Sequence, residues 1–225
     1  MHIQPYFPEP IEVRGNVANE RYAVRLSFIR AVLAGHALSV AAIVAVAIAY
    51  VPVLNATALS LFLFADLLAL TLVRRFFPGK SLEGALSFLI LLPTLFAVGC
   101  LVRIAHEGGA PVWLVFLSYL VASVYGALCG RDYSFVGQFV ITVMALTTVT
   151  VVSVLIGALV WQEALLWWSV STAFVFYFVY DLAALLRRRR LGEEPAAVAD
   201  LYRDLLNFTT YSVRVFLHWR RFGPI

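Results

Sequence analysis

The chain has 225 residues, of which 62% are hydrophobic and only 13% charged. A soluble domain of this length has no interior large enough for that much apolar surface, so the composition excludes a water-soluble enzyme and predicts an all-α, polytopic membrane protein. The formal charge of +4 lies mostly on Lys and Arg between apolar runs; it speaks to orientation in the lipid bilayer and predicts no nucleic-acid partner.

Residues 1–23 are polar, with Pro5, Pro8 and Pro10 close together. They read as a tail that is disordered or ordered only on contact, not as a signal peptide, because no short apolar core with a cleavage site follows. Residues 24–225 read as a single transmembrane domain. The first apolar run, Phe28 to Tyr50, is long enough to span. Arg21, Arg25 and Arg30 flank or enter it and can snorkel to the headgroups. His36, deeper on the same run, reads as a hydrogen-bonded packing residue before it reads as a pH sensor.

Pro52 and Asn55 mark a turn, and the second span follows from Ala56 to Val73 with Asp66 in its middle. Arg74 and Arg75 end it, before the Pro78-Gly79 break. The third span, Leu82 to Val102, carries Glu83 at its start, where the helix dipole favours an acid. Pro93 within it is expected to kink the helix and free a carbonyl toward the bundle. Residues 103–110 read as a loop turning at Gly108-Gly109.

The fourth span runs from Pro111 to Cys129, and its Ser118, Ser123, Gly126 and Ala127 allow close helix approach. A Gly130-Arg131-Asp132 turn leads to the fifth, Phe135 to Val160, whose Thr147, Thr148 and Thr150 can bond their own backbone. Trp161, Trp167 and Trp168 suggest an interfacial belt at the start of the sixth span, which ends at Leu186 before Arg187–Arg190. A seventh runs from Val198 to Leu217. Cys100 and Cys129 fall near opposite ends of neighbouring spans, so no disulfide is expected, and their spacing with other residues suggests no metal site or cofactor.

The sixth and seventh spans hold the candidate site. Asp181 lies six residues before Arg187, about 9 Å of helix rise, and Asp204 lies near the start of the next helix. A short hinge makes the two helices antiparallel and predicts both carboxylates at nearly one depth. Such a pair titrates as a unit and can sense pH, bind a cation or do acid/base chemistry. The plainer alternative is that each Asp pairs with an Arg or a helix end and only fixes packing.

Asp200, Asp204, Asn207, Tyr211 and Arg214 recur at steps of three and four, a polar stripe that predicts a seventh helix at the centre of the bundle. Arg74 and Arg75, at the same level, are candidate counter-ions for Asp181 or Asp204. The cationic turns all fall on one side: the tail, Arg74-Arg75-Lys80, Arg131 and Arg187–Arg190. The opposite loops carry only Arg103, which predicts a cytoplasmic N-terminus. A full seventh crossing places the basic end HWRRFGPI outside, against that rule, but remains the expected path.

Four stretches resemble the Bax inhibitor-1 family. FIRAVLAGHALS is similar to its first-span entry, GRDYSFVGQF to its fourth-to-fifth turn, FVFYFVYDLAALL to its sixth-span Tyr-Asp signature, and ADLYRDLLNFTTYSVRV to its seventh-span pattern. The second and third spans match weakly, and Arg203 replaces the family's usual apolar residue. The resemblance implies helices wrapped around a central seventh. It also implies a pH-sensitive calcium leak in which Asp181 and Asp204 share a proton, contact a second-span Arg, here Arg74 or Arg75, and transiently hold calcium ions. A bacterial inner membrane fits this reading.

Two other classes compete. Some bacterial relatives are understood to regulate a membrane protease by binding it, and the polar tail and small-residue fourth span would suit such a partner. Intramembrane aspartyl proteases also place Tyr-Asp on one span and Asp on the next. They carry Gly-x-Gly before the second Asp, however, where this chain has Leu201-Tyr202-Arg203.

Overall fold

The computed structural model describes residues 13–50, 54–77, 81–128 and 135–203. Asp204, Asn207, Tyr211, Arg214 and Cys129 lie outside the described residues, as do Lys80, the Pro78-Gly79 break, the Arg131 turn and the seventh span past residue 203. Every regular element among the described residues is helical. A short turn over Val17–Asn19 precedes α1 (Tyr22–Ala49), α2 (Ala56–Phe76), α3 (Ser81–Glu107), α4 (Trp113–Leu128), α5 (Phe135–Leu155) and α6 (Trp161–Arg188). A further helix, α7, is described over 194–203. Five of these, α1, α2, α3, α5 and α6, are long and apolar enough to cross a membrane. Described over 16 residues, α4 rises about 24 Å, short of a hydrocarbon core of about 30 Å. Among the described residues the chain is all-helical, and its five long apolar helices are those of an integral membrane protein.

Helix ends depart from the apolar runs where the backbone dictates. Residues 103–107 belong to α3 and not to a loop. Arg103 Nε bonds Glu107 Oε1 at 2.7 Å across one turn and prolongs the helix. Gly109, at φ 85°, then stops it, with Ala110 N–H on Ala105 O and Gly109 N–H on His106 O. That pair of bonds closes a Schellman motif, whose left-handed position glycine fills without a Cβ clash. The same device at Gly157, φ 74°, ends α5 at Leu155, five residues before the apolar run ends at Val160. α1 starts at Tyr22, ahead of the apolar run, because Arg21 O accepts the first-turn N–H groups of Val24 and Arg25.

The chain divides into two compact units. The first joins the described residues up to Gly35 with Pro111–Ala197, and the second joins His36–Ala110 with the described residues from Val198. In the first unit α4, α5 and α6 pack pairwise. Between α5 and α6, Trp168 Nε1 donates to Thr147 Oγ1 at 2.9 Å, and Phe139 meets Phe176 edge-on at 5.5 Å. These pairs advance in opposite chain directions, so the two helices are antiparallel. Gln138 Nε2 donates to Ala122 O at 2.6 Å, and a Cβ on Gly126 would sit 3.0 Å from that nitrogen. Of the small residues on α4, Gly126 and Ser118 are thus buried where α4 is crowded. Thr147 and Thr148 bond carbonyls one turn back, as expected of hydroxyls in an apolar helix, and Ser153 does the same; the buried Thr150 hydroxyl, expected to do so too, makes no such bond.

In the second unit α2 packs along α3. Leu59, Ala97 and Cys100 form a buried cluster, with Val46, Leu63 and Ile104 against it. Gly99 lets the second half of α1 approach: a Cβ there would lie 2.6 Å from Val46 Cβ and 2.9 Å from the Ile43 carbonyl. α3 runs unbroken through Pro93.

Candidate functional site

Buried charge collects in each unit. In the first, Asp181 sits on α6 at 2% exposure, surrounded along the helix by the buried Phe178, Leu182 and Leu185. Arg188 Nη1 donates to its Oδ1 at 2.9 Å. Seven residues separate the two, close to two full turns, so they share a face and the arginine stem reaches back along it. Glu193 offsets part of the charge of the hinge beyond. Arg189 pairs with Glu193 at 3.6 Å, and the Arg190 N–H donates to Glu193 Oε2 at 3.2 Å.

The N-terminal segment docks on this hinge. Val13 N–H donates to Arg187 O at 3.0 Å, Val17 N–H to Arg189 O at 2.9 Å, and Arg190 Nε to Arg14 O at 3.1 Å. Carbonyls at a helix end need outside partners, and the segment supplies them. Val17 is fully buried in the process. The segment before α1 and the basic hinge therefore lie together. Arg30, expected to snorkel, donates from Nε to Ala127 O at 3.0 Å and so caps the last turn of α4.

In the second unit the centre is Asp200 on α7, with no exposure. Arg74 Nη1, at the end of α2, donates to its Oδ2 at 3.1 Å. Arg203, one turn on, holds its Oδ1. Both carboxylate oxygens are thus taken by guanidinium groups. Such a buried triad is stable only while every member is present, since removing one leaves an uncompensated charge. Arg75, the other candidate counter-ion, is exposed. Next to Asp200, Tyr202 stacks on His36 with ring centroids 5.0 Å apart, and its hydroxyl shares a hydrogen bond with Ser39. Ser39 and His36 lie one turn apart on α1, so α7 is fastened to α1 by Tyr202 and to α2 by Asp200. Glu83, at the start of α3, is also buried.

Of the residues singled out in the sequence, the structure brings Arg74 to Asp200. Asp181 belongs to the other unit and has Arg188 as a partner. Arg188, Arg203, Tyr202 and Ser39 were not among the expected site residues, although Arg203 stands three residues after Asp200 and so shares its face. Among the described residues, no three His, Cys, Asp or Glu side chains cluster as a metal site. The arrangement can hold or release a helix through a charge change: a proton on a carboxylate removes the attraction that clamps α7 to α2. No family model, curated protein or solved structure matches this chain.

Proposed function

We propose that this protein is a pH-sensitive calcium leak channel of the Bax inhibitor-1 type, with its N-terminus in the cytoplasm of a bacterial cell. Asp181 and Asp204 serve as the protonatable pair, and the seventh helix forms the centre of the bundle. The observation that carries the reading is the Arg74–Asp200 clamp. It ties the end of the second span to α7, four residues before Asp204 in the sequence. A buried carboxylate between two arginines holds a helix in place while ionised, and a change in proton occupancy nearby weakens that hold. Calcium as the moving ion follows from the family resemblance. Carboxylate oxygens suit that hard cation.

The clamp gives a direct test. Arg74→Ala and Arg75→Ala are each reconstituted in liposomes, and calcium uptake is followed across a pH series. Arg74→Ala flattens the pH dependence because the closed state loses its latch. The exposed Arg75 is dispensable, so Arg75→Ala keeps the wild-type profile. Unchanged profiles in both variants refute the latch.

A further inference from the structure

Asp66 is an ionisable residue of α2 that the clamp does not use. It is the eleventh residue of the 21-residue α2, so about 15 Å of helix lies on either side of it. That places it at the middle of the hydrocarbon core, where a charged side chain is most costly. It is half-buried on the side of α2 that carries Leu59, Leu67 and Leu70 into the unit. The fully buried Thr94 Oγ1 of α3 lies 3.3 Å from Asp66 Oδ2 and 3.0 Å from Ile90 O, two acceptors that share the one hydroxyl proton. Pro93, immediately before Thr94, removes one backbone N–H from this stretch of α3.

We infer that Asp66 is a proton-binding site at the middle of the membrane, with Thr94 as the residue that positions its carboxyl group. Among the described residues, no cation stands beside it. On α3, which packs against α2, the ionisable groups are Glu83 near one end, Arg103, His106 and Glu107 at the other, and the thiol of Cys100 two turns from Thr94. On α2 itself Arg74 and Arg75 stand eight and nine residues away, about 12 Å or more along the axis. Elsewhere in the unit, His36 on α1 stacks on Tyr202, and Asp200 and Arg203 of α7 are engaged with each other.

A carboxyl group so placed, with one hydroxyl beside it, has too few oxygens for calcium, which takes six to eight ligands. One proton needs only the carboxyl group. Asp66, Leu70 and Arg74 follow at steps of four along one face of α2, so a proton held at Asp66 lies on the same helix face as the Arg74–Asp200 clamp. This site stands independently of the calcium reading.

The test uses the whole protein in lipid nanodiscs and dicyclohexylcarbodiimide, which reacts with protonated carboxyl groups in apolar surroundings. The acid adds across one C=N bond, its oxygen to carbon and its proton to nitrogen. The O-acylisourea then rearranges to a stable N-acylurea, with nothing oxidised or reduced. Peptide mass spectrometry of the wild type locates the adduct without any substitution. The expected result is modification of Asp66 at neutral pH, falling as pH rises, and insensitive to excess sodium or calcium. Thr94→Val removes the hydroxyl that positions the carboxyl group, so its half-labelling point shifts. An unmodified Asp66 at every pH overturns the inference. Protection by sodium or calcium at fixed pH overturns the proton as the ligand. An unchanged half-labelling point in Thr94→Val overturns the role of Thr94. Calcium flux is not read, so this outcome is separate from the fate of the channel proposal.

Discussion

Asp200→Asn tests the buried triad directly. The substitution keeps the shape of the side chain and removes its charge, leaving Arg203 and Arg74 facing each other without a carboxylate. Arg203 is 7% exposed and Arg74 25%, so one guanidinium is stranded in the interior and the other keeps some access to the surface. Breaking a buried ion pair from one side costs about 3–5 kcal/mol. The access of Arg74 puts this case near the lower end, about 3 kcal/mol. The assay is unfolding in mixed micelles by titration with a denaturing detergent, followed by tryptophan fluorescence. Arg75→Ala is the control, since an exposed arginine changes stability by no more than about 0.5 kcal/mol. A double-mutant cycle with Arg74→Met isolates the pair, and removing both partners recovers part of the loss, because no charge is then left facing its like. If Asp200→Asn unfolds within about 0.5 kcal/mol of wild type and the cycle shows no coupling, the triad does not hold α7 and the latch reasoning fails.

Gly99→Ala forces a Cβ to within 2.6 Å of Val46 Cβ and 2.9 Å of a backbone carbonyl, and overpacking of this kind costs about 1–3 kcal/mol. Gly84→Ala, on the same helix with nothing within 4 Å of the new methyl group, stabilises by about 0.5–1 kcal/mol through helix propensity; the same detergent titration reads both, and equal effects would contradict the α1–α3 approach. Trp168→Phe loses the bond to Thr147 and costs about 1 kcal/mol, read as a lower unfolding midpoint; no change would mean that the bond is not formed in lipid. Val17→Asp puts a charge where Val17 is fully buried and frees the segment from the α6 hinge, seen as faster amide exchange over residues 13–20; unchanged exchange would contradict the docking.

The five long helices were legible because each announces itself as an apolar run longer than a soluble helix needs. Their ends were less so. The fifth run stays apolar to Val160, and only the left-handed Gly157 within it marks where the helix stops. The third ends in polar residues that read as loop, yet Arg103 and Glu107 are spaced to bond across a turn and carry the helix on. Val17 is one of a few scattered apolar residues in a polar segment, so composition gave no sign that it packs.

At the site, the cost of burying charge pointed correctly to Asp181 as a buried acid, and the stripe pointed to Asp200. The partners were harder to read. A counter-ion was sought on another span, whereas Arg188 reaches Asp181 along the same helix, two turns away. The burial and pairing of Asp181 fit the plainer ion-pair reading as well as the sensor reading, and function in lipid separates them. Hydropathy also cannot tell Arg74 from Arg75, because the choice depends on rotation about the α2 axis, which packing against α3 sets.

The measurement that bears most directly on the account is calcium flux into proteoliposomes across a pH series, for wild type, Asp181→Asn and Asp204→Asn. The account predicts pH-dependent flux in wild type, with the dependence lost in each single substitution. Wild-type protein that passes no calcium at any pH would contradict it and leave the aspartates as structural ion-pair residues.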